Sequence, residues 1–196
     1  SQALTTIPTH VSTQASITNA SGCAYWSQLG AKRIILAREV SLAECAQVQS
    51  EVPIELEIFV HGAMCASYSG RCVISNYASG RDSNRGGCVQ SCRHHYHVQN
   101  HNGDETLSLP VMNAKDLMGL RQLPQIMAIG IASVKIEGRM KSNLYVANAV
   151  SAYRQAIDAL MERPDLSPQE WLALERQVSD VSNRQFNAGF LEGRLD

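Results

Sequence analysis

Short apolar runs alternate along this chain with longer stretches whose apolar residues recur at helical spacing, the pattern of strands followed by helices. Thr9 to Gln14 sets His10, Ser12 and Gln14 against Val11 and Thr13, which predicts a short strand. A helical stretch from Ser21 to Leu29 stops at Gly30, a natural residue just past a helix end. RIILAREV, from Arg33 to Val40, is apolar enough for a buried strand. Ser41, with Glu44 three residues later, forms a capping box for a helix that Pro53 ends. PIELEIFVHG is the next strand. LPVMNAKDL predicts a short strand and then a helix through about Met127, closed by Gly130. SVKIEGRM is a further strand, and Ser142 to Met161 a long amphipathic helix with Val146, Val150, Tyr153, Ile157 and Leu160 on one face. Ser167, Pro168 and Glu170 open a last helix reaching about Val181.

Strands alternating with helices over short connections predict an α/β fold with a parallel sheet. The polar positions sharpen this. Glu55, Glu57, Phe59 and His61 share one strand face. Lys135, Glu137 and Arg139 share another, opposite Val134 and Ile136. A doubly wound sheet wants both faces apolar. A charged inner face and an apolar outer face suit a (β/α)8 TIM-like barrel with its site at the C-terminal mouth. Such a barrel takes about 250 residues, so the chain reads as the C-terminal part of one, a fragment of something longer. Residues 1–165 would hold its later strands and helices, including the cysteine loop 61–101. Residues 166–196 would form a C-terminal helix and linker.

Composition adds limits. The 196 residues carry a net charge of −1, ordinary apolar content and no apolar run near the roughly 20 residues of a membrane-spanning helix. No signal peptide opens the chain. Secreted disulfide scaffolds are short and have little core, whereas this chain has clear α/β periodicity, which points to a reducing, cytoplasmic setting with thiols as ligands or free groups. Charge is nonetheless uneven: between His61 and His101, Arg71, Arg81, Arg85 and Arg93 face one acid, Asp82. That is a local cationic patch.

The same stretch holds four of the six cysteines, as C-x6-C-x15-C-x3-C at Cys65, Cys72, Cys88 and Cys92. Gly, Ser and Asn enrichment marks it as a cysteine-rich loop insertion. Cys23 and Cys45 lie on apolar helix faces and read as buried packing residues. Four thiols in one polar loop point to a metal or metal–sulfur centre. Zinc sites usually pair ligands at closer spacing, which only Cys88 and Cys92 satisfy. An iron–sulfur cluster accepts irregular spacing, one thiolate to each iron. Spacing favours the cluster and leaves zinc open. The histidine run His94, His95, His97 and His101 fits a solvated loop better than a second metal site.

These residues resemble a known family. ELEIFVHGAMCASYSGRCVISNYASGRDSNRGGCVQSCR is similar to the signature of the collagenase-like peptidases, E-x-F-x-H-G-A-(L/M)-C followed by S-G-R-C. THVSTQASITN, RIILAREVSLAE, NAKDL, SVKIEGRMKSNLYVANAVSAYRQAID and NRQFNAGF fit as well, so the resemblance covers nearly the whole chain. It implies an oxygen-independent hydroxylation protein with a 4Fe-4S cluster, from branches acting on tRNA, ribosomal RNA or ubiquinone precursors. SNYASGRDSNRGGCVQSCR and KIEGRMKS are most similar to the tRNA branch, which makes 5-hydroxyuridine at the wobble position with prephenate as co-substrate. With no cysteine after Cys92, a four-ligand cluster would take Cys65, Cys72, Cys88 and Cys92. On this reading Arg38, Lys135 and Arg139 bind the prephenate carboxylates. Glu57, His61 and Glu137 transfer protons. Arg71, Arg81, Arg85 and Arg93 grip tRNA phosphates. An internal salt-bridge role competes for the charged strand residues. The implied partners are tRNA and the iron–sulfur assembly machinery, with no membrane and no indicated electron donor. A peptidase is the alternative the family name suggests, although no Ser-His-Asp or H-E-x-x-H pattern is visible.

Overall fold

The nine-residue strand β3 (Glu55–Ala63) is the axis of the sheet, in a computed structural model that describes residues 7–99, 101, 103 and 106–193. Its first half pairs in parallel with β2 (Arg33–Ile35), which pairs in parallel with β1 (His10–Val11). Its opposite edge pairs in parallel with β7 (Ser133–Glu137). Beyond the end of β2, the edge of β3 is taken by β6 (Asp116–Met118), antiparallel, and β6 pairs with β8 (Phe186–Asn187). A separate hairpin joins β4 (Tyr96–Gln99) to β5 (Thr106–Leu109). The α/β reading and the parallel-rich sheet therefore hold, with β6 running against its neighbour.

The predicted helices form close to their expected bounds. They are α1 (Ala20–Gln28), α2 (Leu42–Glu51), α4 (Leu123–Ile129), α5 (Asn143–Glu162) and α6 (Pro168–Ser179). Ser41 with Glu44 and Ser167 with Glu170 make full capping boxes, each Glu carboxylate accepting the cap residue's own N–H. Gly130 ends α4 at φ +83°, open to glycine and strained for any other residue. These helices stack side by side and share one core with the sheet's apolar face. Ile34, Leu56 and Val60 are fully enclosed there, each side chain contributing about 1.5–3 kcal/mol. Cys23 and Cys45 join that core, where burial pushes their thiols up to about 11 and about 12. Residues 166–193 pack on it too: α6 lies against α5, and the Leu42 N–H donates to the Leu191 carbonyl at 3.0 Å.

Several expectations are corrected. Thr13–Ala15 is a 3₁₀ turn capped by Ser12, so only His10–Val11 is strand. RIILAREV leaves the sheet after Ile35: the Leu36 N–H still reaches the Glu57 carbonyl of β3, but the Ala37 N–H turns away to the Ile17 carbonyl. On α5 the buried stripe is Tyr145, Ala149, Ala152, Tyr153 and Ala156, while Val150 is half exposed. Small alanines let this helix approach its neighbours closely. The cysteine loop is not wholly irregular either, since α3 (Ile74–Ser79) lies within it. Among the described residues no helix is long and apolar enough to cross a membrane.

Candidate metal centre

All four parallel strands deliver their C-terminal ends to one cavity of about 350 Å³. Gln14 arrives just beyond β1, Arg38 beyond β2, Cys65 beyond β3, and Glu137 with Arg139 at the end of β7. Ligand sites in open α/β sheets lie at this end. The cysteine loop closes the cavity from above, and Cys65, Cys72, Cys88 and Cys92 all line it as free thiols.

The loop is tied to the sheet at defined points. Ser69 donates its N–H to Glu39 at 2.8 Å, and its Oγ receives the Arg38 N–H at 3.1 Å. Gly70 donates to Gln14 Oε1 at 3.0 Å and sits at φ +74°, where a Cβ would fall 2.2 Å from the Gln14 carbonyl. Only glycine fits there. Within the loop, the Cys72 carbonyl accepts from Ser83 Oγ at 2.9 Å and from Asn84 Nδ2 at 3.0 Å. The Gln90 N–H points at Cys88 Sγ, 3.3 Å away. Arg93 bonds the carbonyls of Met64 and Ala114 and the Asn113 side chain. Burial and the nearby charge of Arg184 hold its pKa down, and it faces inward rather than toward solvent.

Cys65 stands exposed at the cavity rim, yet enough protein crowds its sulfur for desolvation to push the thiol up. The other three cysteines push it the same way, and Arg38 opposes them. Among the described residues, no group of three or more His, Cys, Asp or Glu is already gathered closely enough to hold a metal ion.

The remaining predicted site residues divide. Arg38 lies 4.0 Å over the Phe59 ring, and its Nε and Nη1 are buried with no hydrogen-bond partner among the described residues. Glu137 lines the cavity and accepts the Arg139 N–H at 2.9 Å. Arg139 donates to the Gly86 carbonyl at 2.9 Å. Glu57 and Lys135 are joined at 3.1 Å, with Arg33 on the other Glu57 oxygen at 3.4 Å. None of the three lines the cavity. Burial pushes Glu57 up, but Lys135, Ser133 and Arg33 outweigh it and hold the carboxyl low.

His61 is displaced. A bulge at Val60 shifts the β3–β7 register, so His61 pairs with Ile136 and turns onto the helix face. Its ring lies 5.5 Å from those of Tyr145 and Tyr153 and 5.2 Å from Phe186. Neither nitrogen has a hydrogen-bond partner among the described residues, and burial depresses its pKa to about 4. Arg71, Arg81 and Arg85 are exposed on the loop.

One network was missed by sequence reasoning. Asp116, fully buried, accepts from Lys141 at 2.6 Å and from Arg184 at 3.3 Å. Arg184 reaches on to Gln90 at 3.4 Å, between Cys88 and Cys92. The three charges come from NAKDL, KIEGRMKS and NRQFNAGF, and none of Asp116, Lys141 and Arg184 had an assigned use. A buried acid with two cations behind a ligand loop is the arrangement that joins them.

A sequence profile of Peptidase family U32 matches residues 1–196. The chain belongs to peptidase family U32. Relatives within the reach of that family carry RNA-modification names. A tRNA hydroxylation protein of Bacillus subtilis is 42% identical over 196 residues, covering 95% of this chain and 46% of the relative. A tRNA hydroxylation protein of Escherichia coli is 34% identical over 235 residues, covering 94% of this chain and 51% of the relative. An Escherichia coli 23S rRNA 5-hydroxycytidine synthase is 37% identical over 163 residues, covering 82% and 25%. The chain thus spans about half the length of the curated tRNA-hydroxylating relatives it matches. No solved structure matches it.

Proposed function

We propose that the full-length protein hydroxylates RNA at a 4Fe-4S centre held by Cys65, Cys72, Cys88 and Cys92, with the wobble uridine of tRNA as target and prephenate as co-substrate. The observation that carries this reading is the convergence of four free thiols and the ends of four parallel strands on one cavity. The names of the U32 relatives support RNA as the substrate. In the full-length protein, upstream strands would complete a (β/α)8 barrel around the same cavity.

Replacing the C5 hydrogen of uridine by hydroxyl is a two-electron oxidation; in the proposed reaction the co-substrate is both oxygen donor and oxidant, its carbon giving up hydroxyl and taking the two electrons with a proton (R–H + R′–OH → R–OH + R′–H). The cluster, when bound, supplies one-electron transfer. The chain's own residues bind and orient. Arg38, with unpaired donors and its plane fixed over Phe59, takes a co-substrate carboxylate, and Arg139 a second. Glu137 is the carboxylate inside the cavity and serves as proton acceptor at C5. Glu57 and Lys135 hold the strand face together by their ion pair. Arg93 braces the loop, leaving Arg71, Arg81 and Arg85 for phosphates. A peptidase would need a nucleophile paired with a base, and His61 has no such partner among the described residues.

Mass spectrometry of tRNA and rRNA nucleosides from cells lacking the gene tests this. Loss of 5-hydroxyuridine derivatives from tRNA, restored by the wild-type gene and not by a Cys88→Ser form, is the expected result. Loss of hydroxycytidine from rRNA instead would move the reading to the ribosomal branch, and unchanged nucleosides in both pools would reject it.

A further inference from the structure

The cysteine loop carries exposed rings and guanidinium groups that lead outward from the cavity rim. Tyr77 is 96% exposed, Tyr68 72% and Val73 68%. Single exposed apolar residues are ordinary, but these stand within ten positions of one another, among Arg71, Arg81 and Arg85, all exposed. The one acid nearby, Asp82, is paired to Arg85 at 3.4 Å, a contact open to water and worth little.

The two rings project from fixed backbone. Helix α3 packs on the Ser83–Arg85 and Ser91–Arg93 turns. Ser75 is its buried anchor, Oγ accepting the Val89 N–H at 3.3 Å. Tyr77 follows two positions later, about 200° around the helix, and so faces out. Ile74, one turn before it, lines the cavity. Tyr68 lines the cavity rim, and its carbonyl is fixed by the Arg71 N–H at 3.0 Å.

We propose that Tyr68 and Tyr77 form a stacking platform for unpaired RNA bases, with Arg71, Arg81 and Arg85 holding the phosphates on either side. This rests on RNA being the substrate. Rigid aromatic rings among guanidinium groups match the alternation of base and phosphate in a single strand. A duplex hides its base faces and has no use for the rings. Because Tyr68 belongs to the cavity rim, a strand stacked here would lead one base to the opening, as enzymes acting on base atoms require.

The test measures binding of the full-length protein to an unpaired RNA oligonucleotide and to its blunt duplex, across a salt series. Tyr77→Ala and Tyr68→Ala should each weaken single-strand binding roughly 5- to 100-fold, leave duplex binding and the salt slope unchanged, and be rescued by Phe. Arg71→Ala should instead lower the salt slope by about 0.7. Wild-type strength in the Ala variants, equal losses on duplex and single strand, or a lowered melting temperature showing that the rings are covered elsewhere in the protein would each overturn the platform. Those outcomes leave RNA hydroxylation standing, since wild type would still bind. Failure of the wild-type protein to bind any RNA would overturn both.

Discussion

Arg93, the residue after Cys92, donates to the carbonyl of Met64, the residue before Cys65. The last cysteine of the loop is thereby tied to the first, with a second anchor at the Ala114 carbonyl, 2.7 Å away. Changing Arg93 to Met would leave both carbonyls without a donor, at about 1–3 kcal/mol. Lower stability, seen in the unfolding midpoint, and faster proteolysis within 65–92 are expected. Arg93→Met protein that melts like wild type yet binds RNA more weakly would mean that this guanidinium grips phosphate instead.

The bulge that turns His61 into the core sets a pH dependence. Folded His61 stays neutral down to about pH 4, against 6.5 when unfolded. The unfolded chain therefore takes up the extra proton between those values, and stability falls as pH falls through that window. The full penalty is on the order of 3 kcal/mol. Above pH 6.5 the term vanishes. A His61→Phe variant should flatten this part of the curve in equilibrium unfolding from pH 7 to pH 4, and an unchanged acid slope would contradict the buried neutral imidazole.

Glu57 and Glu137 separate by role. Glu57 holds a lowered pKa against Lys135 and Arg33, so its contribution is present above the ordinary carboxylate range and is lost on acidification. Glu57→Gln should cost about 1 kcal/mol, with RNA hydroxylation retained in proportion to folded protein. Glu137→Gln should abolish hydroxylation with little change in melting. Nucleoside analysis of complemented cells decides, and the reverse pattern would put Glu57 in the chemistry.

Gly62 marks where β3 and β7 touch. At φ +101°, a Cβ there would lie 2.0 Å from the Glu137 carbonyl. Gly62→Ala must push β7 away as well as adopt a strained backbone, at roughly 3 kcal/mol or more. Wild-type stability in that variant would show that the strands are not so close.

These tests also show what the sequence could reveal. The helices were legible because Ser41–Glu44 and Ser167–Glu170 cap them by local chemistry, and β3 because its apolar and polar positions alternate. The Val60 bulge was not, since a register shift belongs to a pair of strands, and it reversed the face of His61. Helix α3 has no side-chain cap at Val73, and its neighbours look like loop. On α5 the valines outranked the alanines in hydropathy, while close packing selected the alanines. The four cysteines stood out by type and spacing, and all four line one cavity. Asp116, Lys141 and Arg184 were not, being far apart in the chain and joined only by the fold.

The claim that most needs measuring is that the four thiols hold iron and sulfide. Iron and acid-labile sulfide, determined on anaerobically purified full-length protein, should approach four of each per chain and fall sharply in Cys65→Ser, Cys72→Ser, Cys88→Ser and Cys92→Ser alike, whereas Cys23→Ser should keep the full content. Stoichiometric zinc without sulfide, or iron retained in every loop variant, would contradict the account.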